Sequence, residues 1–161
     1  MKKVFGILMT ACVSVSLMFL VGTGFAGDKA SAVIEPAEIS LTFPGILKTP
    51  ITITGSGFLP GETLVVDLIL PEGVKVPGVD PGESVGLAFG MVDDQSNFKT
   101  VVDASAKLNF LYRVQWHPNL QPDIKTLDPL PAGEYEISVS GMESGKVLKL
   151  PWKILPPPPK K

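Results

Sequence analysis

His117 is the only histidine in this chain of 161 residues, and it limits the catalytic arrangements that the sequence can build. A Ser-His-Asp or Cys-His arrangement would depend on this one imidazole, with Asp123 and Asp128 as nearby acids. A zinc site needs three or four ligands, which a single histidine cannot supply. A histidine in a loop after a strand is usually a polar surface group. We therefore predict a protein that is not an enzyme and that binds no metal or cofactor.

Calcium requires only oxygen ligands, and Asp93 to Asn97 form an oxygen-rich segment. The segment lacks the DxDxDG spacing and the distal glutamate of a calcium-binding loop. Asp, Ser and Asn side chains are also typical of turns, where they accept hydrogen bonds from nearby backbone donors. We therefore predict a hairpin turn here.

Aromatic side chains offer a binding surface rather than a reaction centre. The rings of Tyr112, Trp116 and Trp152 can stack on a sugar or anchor a protein partner. All three occupy the alternate positions of predicted strands that are apolar, so we expect such rings to pack in the core unless another feature exposes them. Trp116, at a strand end, is the one expected to reach the surface. The candidate binding residues are Trp116, His117, Asn119 and Tyr112.

The first 26 residues have the three-part plan of a secretory signal peptide. Two lysines precede a run from 4 to 21 that is apolar apart from three hydroxyl residues, and Gly24-Phe25-Ala26 supplies a small-x-small cleavage site. We predict cleavage and an extracytoplasmic location, in the periplasm, on the cell surface or in the medium. If it is not cleaved, the segment would anchor the protein in a membrane. Lipid attachment at Cys12 is a minor alternative, because its apolar run would be only about six residues long.

Charge excludes one class of partner. Without the first 26 residues, which contain two lysines and no acid, twelve basic and sixteen acidic side chains remain and the net charge is −4. Nucleic-acid binding requires a clustered surplus of Lys and Arg, so we exclude it. The remaining chain has no cysteine, so its stability must come from a packed core.

Apolar residues recur at every second position in most of the remaining chain, which predicts strands with one buried face. Turn residues separate these segments at short intervals, which is typical of a two-sheet sandwich or a barrel. The predicted strands are 39–43, 50–54, 63–70, 85–92, 98–102, 108–116, 134–140 and 148–154.

Two long connections are rich in proline and glycine, Pro71 to Glu83 and His117 to Pro131. Proline removes a hydrogen-bond donor, so neither connection can be a central strand, and we predict surface loops. We expect function on Val76 to Glu83 and Trp116 to Pro122, because loops on a rigid frame often carry it. The tail, residues 156–161, is predicted to be an extended polyproline segment with two lysines, outside a domain of residues 27–155.

Two segments resemble a known family. The segment from Ile51 to Glu62, ITITGSGFLPGE, resembles the ITGSGF-x-PGE signature of bacterial immunoglobulin-like domains of the IPT/TIG type. The segment from Pro131 to Gly141, PAGEYEISVSG, resembles an ending common in bacterial immunoglobulin-like modules. The resemblance implies an all-β, immunoglobulin-like two-sheet sandwich of about seven to eight strands. It also implies a non-enzymatic surface or periplasmic module used for spacing, adhesion or assembly.

The two motifs consist of residues that shape the backbone and the core. Glycine permits a positive-φ or bulged backbone where a strand ends, and Pro-Gly suits the centre of a type II turn. A tyrosine at the start of a strand can close the sandwich end with its hydroxyl bonded to backbone. We assign this structural role to Gly55, Gly57, Phe58, Pro60, Gly61 and Tyr135.

The sequence therefore predicts an exported, non-enzymatic binding or structural module of the cell envelope. Its expected partner is another envelope protein or a glycan. One alternative is a carbohydrate-binding module that uses Trp116 and neighbouring loop residues. Another is a subunit of an extracellular or periplasmic assembly, whose sheet edge or tail pairs with its neighbours.

Overall fold

The computed structural model describes residues 29–80 and 82–159, so the predicted signal peptide lies outside the described residues. The short helices are α1 (Gly45–Lys48) and α2 (Ala104–Ala106); a π-helical turn, Lys107–Leu111, follows α2, and a 3₁₀ turn spans Ile124–Thr126. The strands are β1 (Ser31–Glu35), β2 (Glu38–Ser40), β3 (Thr52–Ser56), β4 (Thr63–Ile69), β5 (Ser84–Met91), β6 (Asn97–Val101), β7 (Gln115–Trp116), β8 (Pro122–Asp123), β9 (Gly133–Gly141) and β10 (Val147–Leu155).

The strands form two sheets and a small ribbon. One sheet has the order β1-β3-β6, the other has the order β2-β10-β9-β4-β5, and β7 pairs with β8. The strands pair antiparallel except β2, which runs parallel to β10. The described residues are therefore an all-β, immunoglobulin-like sandwich, which confirms the predicted fold class.

The core lies between the two sheets and follows the alternation of the sequence. On β4, Leu64, Val66 and Leu68 are buried while the residues between them are partly exposed. Ile53 on the opposite sheet and Trp152 on β10 belong to the same cluster. Trp152 is thus a core residue, as its apolar phase predicts.

Seven of the eight predicted strand segments correspond to an observed strand, namely β2 to β6, β9 and β10, whereas the eighth, 108–116, shares only its last two residues with β7. Besides the two-residue strand β8, which lies in a predicted surface loop, strand β1 is an addition to the predicted set. Its sequence, Ser-Ala-Val-Ile-Glu, has three consecutive apolar residues and so lacks the alternation of a strand with one buried face. Only Ile34 of this strand is fully buried, and Val33 is exposed.

The predicted strand from Leu108 to Trp116 is wrong. The segment from Ala104 to Leu111 is helical, and only Gln115–Trp116 is extended. The side chain of Asp103 caps α2 by accepting a hydrogen bond of 2.6 Å from the backbone nitrogen of Ala106. This capping residue is a helix-start signal that the alternation obscured.

The buried positions of this segment have the spacing of a helix. Leu108, Leu111 and Tyr112 are buried, and they are separated by three and four residues. Lys107 is also buried, and its ammonium group donates to the carbonyls of Ile46 and Thr49 at the end of α1. Burial lowers the pKa of Lys107, although Asp103 acts against this shift. The helical turns thus tie α1 to the sandwich.

The alternation of buried and exposed residues on the edge strand β5 shifts by one residue along its length. Its register against β4 shifts between Val66 and Asp67. Leu87 is therefore buried, whereas Phe89, two residues later, is exposed. Gly90 faces the other sheet, where an added Cβ would lie 3.2 Å from Cβ of Thr100. The small residue allows a close contact between the two sheets.

The turn between β3 and β4 has the conformation that the first motif predicts. Gly57 and Gly61 have φ values of 88° and 76°, which favour glycine. The backbone nitrogen of Glu62 donates to the carbonyl of Leu59 at 3.1 Å and closes the turn around Pro60-Gly61. Gly55 is extended rather than left-handed, and a Cβ there would collide with the backbone of Ser31 on β1.

Aromatic residues close the sandwich near both motifs. Phe58 is buried and packs edge-to-face on Phe98, with ring centroids 5.7 Å apart. The hydroxyl of Tyr135, at the start of β9, donates to the carbonyl of Pro131 at 2.8 Å. This is the tyrosine corner of immunoglobulin-like sandwiches, and it holds the entry to β9.

The carboxylate of Glu62 joins the two motifs. Glu62 is 2% exposed and accepts hydrogen bonds from the backbone nitrogens of Leu59, Glu143 and Ser144. An added Cβ at Gly141 would collide with this carboxylate, so the last glycine of the second motif makes room for the last residue of the first. The turn before β4 is thereby fastened to the turn after β9.

Hydrogen bonding keeps this buried carboxyl ionised. Burial by itself would raise the pKa of Glu62, but the hydrogen bonds from Ser144, Leu59 and Glu143 outweigh burial and hold the pKa below its ordinary value of 4.5. The unfolded chain therefore binds a proton more readily than the folded chain. The stabilisation is present above pH 4.5 and is lost as the pH falls through the lower pKa of the folded state.

We expect Glu62→Gln to lower the free energy of unfolding by about 1–3 kcal/mol at pH 7, because an amide nitrogen replaces one acceptor of the buried backbone donors. The difference between wild type and variant should shrink as the pH falls below 4.5, where the unfolded wild-type chain takes up a proton, and should be smallest below the lower pKa of the folded carboxyl. Urea unfolding at several pH values measures both effects. The exposed Glu134→Gln is the matched control, and equal stability of both variants at pH 7 would contradict the role of Glu62.

We expect Gly57→Val to destabilise the domain by about 1–3 kcal/mol, because a β-branched residue is strained at a positive φ. Thermal unfolding measures the effect. Gly45→Val is the control, since Gly45 has no positive φ and an added Cβ meets no atom within 4 Å. An unchanged melting temperature for Gly57→Val would show that the turn tolerates a side chain.

Candidate functional site

Arg113 holds the two proline-rich connections together. Its guanidinium donates to the carbonyl of Lys75 in the first connection at 2.7 Å. It also donates to the carbonyls of Asp128 and Pro129 in the second, at 2.9 and 3.2 Å, and it pairs with the Asp128 carboxylate at 2.8 Å. A planar guanidinium is suited to several such acceptors at once. The two connections thus form one surface.

The preceding helical turn places Arg113 in this position. Arg113 has a φ of 45°, and this left-handed conformation ends the turn. The chain on either side is fixed by backbone hydrogen bonds. The nitrogen of Val114 donates to the carbonyl of Leu108, and the nitrogen of Asp128 donates to the carbonyl of Tyr112 at 2.8 Å. We call this contact of Arg113 with the two connections the Arg113 clamp. Backbone hydrogen bonds fix the chain around Arg113, and its side chain is directed between the loops.

Three adjoining cavities lie along this surface. The first, of about 590 Å³, lies between Lys75 and Asp128. The second, of about 430 Å³, shares Pro77 and Arg113 with the first and extends to Trp116. The third, of about 340 Å³, shares Asn109 and Phe110 with the second and extends to Asp103 and β5. We call these three cavities the loop groove. Each cavity shares lining residues with the next, so the three are neighbours on one surface.

Trp116 lies in the middle of the loop groove. The side chain is 40% exposed, so the sequence correctly singled it out as a surface aromatic. Its ring nitrogen donates to the side-chain oxygen of Asn109, which fixes the orientation of the ring. Phe110 and Pro77 line the same cavity. The centre of the groove is therefore apolar, with amide groups beside the ring.

His117 and Asn119 lie at the tip of the β7–β8 ribbon, next to Trp116 in sequence. The backbone of His117 pairs with Gln121 at 2.9 Å, and the side chain of Asn119 accepts from the nitrogen of Gln121 at 3.3 Å. Nε2 of His117 is 3.8 Å from the Asp123 carboxylate, beyond hydrogen-bond distance. Both residues are exposed, and neither lines the loop groove.

Tyr112 does not reach the surface, so its proposed part in a binding surface is wrong. The side chain is 2% exposed and packs edge-to-face on Phe43, with ring centroids 5.9 Å apart. Its hydroxyl has no hydrogen-bond partner among the described residues, and burial raises its pKa to about 12. The helical turn directs this residue into the core.

The spacing Gly82-Glu83-Ser84-Val85-Gly86 matches the GxSxG pattern of a nucleophile elbow. Ser84 opens strand β5, whereas the elbow serine lies on a sharp turn between a strand and a helix. Among residues 29–80 and 82–159, no three His, Cys, Asp or Glu side chains form a cluster that could hold a metal ion. The same residues include no helix long and apolar enough to cross a membrane.

We expect Arg113→Ala to lower the free energy of unfolding by about 2–3 kcal/mol, because it leaves three loop carbonyls and one carboxylate without their charged donor. Hydrogen exchange should increase in the loops around Lys75 and Asp128 before it increases in the sheets. Arg113→Lys, which keeps the charge but loses the planar fork, should restore only part of the stability. Unchanged loop exchange in Arg113→Ala would contradict the clamp.

Comparisons with known proteins add no assignment. No protein-family model matches the chain, and no curated protein matches it. The resemblance of the two motifs to immunoglobulin-like domains of the IPT/TIG type therefore stays a prediction. The loop groove is the feature of the structure from which a function can be argued.

Proposed function

We propose that the protein is an exported, non-enzymatic module of the cell envelope that binds an extended ligand in the loop groove. The single observation that carries this proposal is that Arg113 fixes two proline-rich loops around a groove with Trp116 exposed at its centre. The signal-peptide pattern of residues 1–26 supports the location. The resemblance to bacterial immunoglobulin-like domains supports a binding or structural role.

The chemistry of the groove favours binding over catalysis. The one histidine lies on the ribbon outside the groove, with its nearest carboxylate at 3.8 Å. Arg113, the charged group between the first two cavities, is occupied by loop carbonyls and by Asp128. What the central cavity of the groove offers a ligand is apolar area from Trp116, Phe110 and Pro77 together with neutral amide groups. Such a lining is typical of recognition sites.

The fixed ring of Trp116 is the specific observation in favour of a second candidate, a carbohydrate-binding module. A tryptophan ring held in one orientation can stack on a pyranose, and the amides of Asn109 and Gln115 can bond its hydroxyls. A groove of three adjoining cavities can follow several sugar units. A glycan and an extended peptide are therefore both candidate ligands of this surface.

We expect Trp116→Ala to weaken binding at least about tenfold, because exposed aromatic anchors carry much of the affinity of a site. The chain from residue 27 keeps every strand of the fold and can be tested on arrays of oligosaccharides and of extended peptides. Met142→Ala, an exposed apolar residue in the turn after β9, is the control. The melting temperatures of both variants should stay close to that of the wild type. Equal binding by Trp116→Ala and wild type would refute the site.

A further inference from the structure

We infer that the loop groove of one copy binds the proline-rich tail, Pro156–Pro159, of a second copy of this chain. The inference rests on the proposed function, because it names the occupant of the same groove. It makes the protein a self-associating module whose copies are joined through their tails. Four observations carry it: the chemistry of the tail, the lining of the groove, the charge at the two ends of the groove and the absence of a linker before the tail.

The tail is a preformed ligand that its own domain leaves exposed. Pro156 to Pro159 are all exposed. The carbonyl of Pro156 accepts a long hydrogen bond of 3.5 Å from the hydroxyl of Ser40. Consecutive prolines favour the polyproline II helix, which has no internal hydrogen bonds and presents its carbonyls to the outside. Such a segment loses little conformational entropy on binding.

The groove supplies what a polyproline helix requires. Aromatic-lined grooves are the common recognition sites of proline-rich segments, because flat rings pack against the proline rings. Trp116, Phe110 and Pro77 form this apolar lining. The side-chain amides of Asn109 and Gln115 lie in the same cavity and can donate to the ligand carbonyls. The ring of Trp116 is already held in place by its bond to Asn109.

Charge gives the tail a direction in the groove. The sequence ends with Lys160 and Lys161, immediately after the prolines. Lys75 lies in the cavity at one end of the loop groove, where Arg113 is paired with Asp128, so this end has a net positive charge that repels further cations. The other end contains Asp103, which is exposed. In the inferred complex, this charge difference favours the orientation of the tail that brings its two lysines next to Asp103.

The absence of a linker favours a second copy over the same chain. Strand β10 ends at Leu155, and the proline run begins at the next residue. Four residues of a polyproline helix extend about 12 Å and do not bend back. The tail of the described chain is exposed, and its prolines line none of the three cavities of the loop groove. It is thus available to a neighbouring molecule.

Two forms of the protein test the inference, residues 27–161 and residues 27–155. The shorter form should have the same melting temperature, because the tail covers no core residue. Light scattering coupled to size exclusion should show self-association that depends on concentration in the longer form and a monomer in the shorter one. The synthetic peptide LPPPPKK should bind the shorter form and change its tryptophan fluorescence, whereas LAAAAKK should not.

Single substitutions then locate the contact. Trp116→Ala should weaken peptide binding at least about tenfold, as expected for a central aromatic anchor. Asp103→Asn should weaken it about two- to threefold, and this loss should disappear in high salt. Asparagine caps a helix as well as aspartate does, so α2 is preserved. Met142→Ala should leave peptide affinity unchanged.

The outcomes separate this inference from the proposed function. If LPPPPKK fails to bind the shorter form, or if both forms self-associate equally, the tail inference is overturned. The proposed function survives that result if Trp116→Ala still abolishes binding to an oligosaccharide or another peptide. If LPPPPKK binds but Trp116→Ala leaves its affinity unchanged, the tail docks elsewhere and the inference is also overturned.

Discussion

The buried carboxylate of Glu62 is the interaction on which the order of the sandwich depends. Two sheets packed through apolar side chains fix the distance between the layers, but they do not fix the turns that join the strands. Glu62 accepts backbone hydrogen bonds from the β3–β4 turn and from the turn after β9, in space left free by Gly141. The ammonium group of Lys146 also joins the two turns, because it donates a hydrogen bond to the carbonyl of Gly57. A charged acceptor bonds several donors strongly at once, which a chain without disulfides can use in place of a covalent link.

At the opposite end of the sandwich, a partly buried cation rather than an anion bonds the backbone of two connections. Strands β4 and β9 run between the two ends, since β4 begins beside Glu62 and leads to the loop that Arg113 holds. There a guanidinium bonds the carbonyls of two connections, as the carboxylate bonds nitrogens of two turns. Backbone groups in loops must find partners, and one buried or half-buried ion satisfies several of them. The result is a rigid end on which a binding surface can be built.

The sequence predicts the sheets well where one face of a strand meets the core, because apolar residues at every second position of a strand all lie on the same face. It fails at β1, which has no alternation, and at residues 108–116, where apolar residues fit both a strand and a helical turn. The decision there depends on contacts distant in sequence, such as Lys107 with the end of α1. Of the candidate site, Trp116 could be predicted from its place at a segment end. The role of Arg113 could not, because it depends on carbonyls of loops 38 and 15 residues away.

The helical turn is also the reason that the proposed binding surface can form. In a strand, positions 112 and 116 point to the same face, so Tyr112 and Trp116 would both have been core residues or both exposed. The π-helical turn directs Tyr112 into the core, and the positive φ of Arg113 then redirects the chain, so that Trp116 emerges on a separate ribbon. The same backbone change brings the guanidinium between the loops. One local departure from the strand pattern therefore creates the exposed aromatic ring and the clamp that surrounds it.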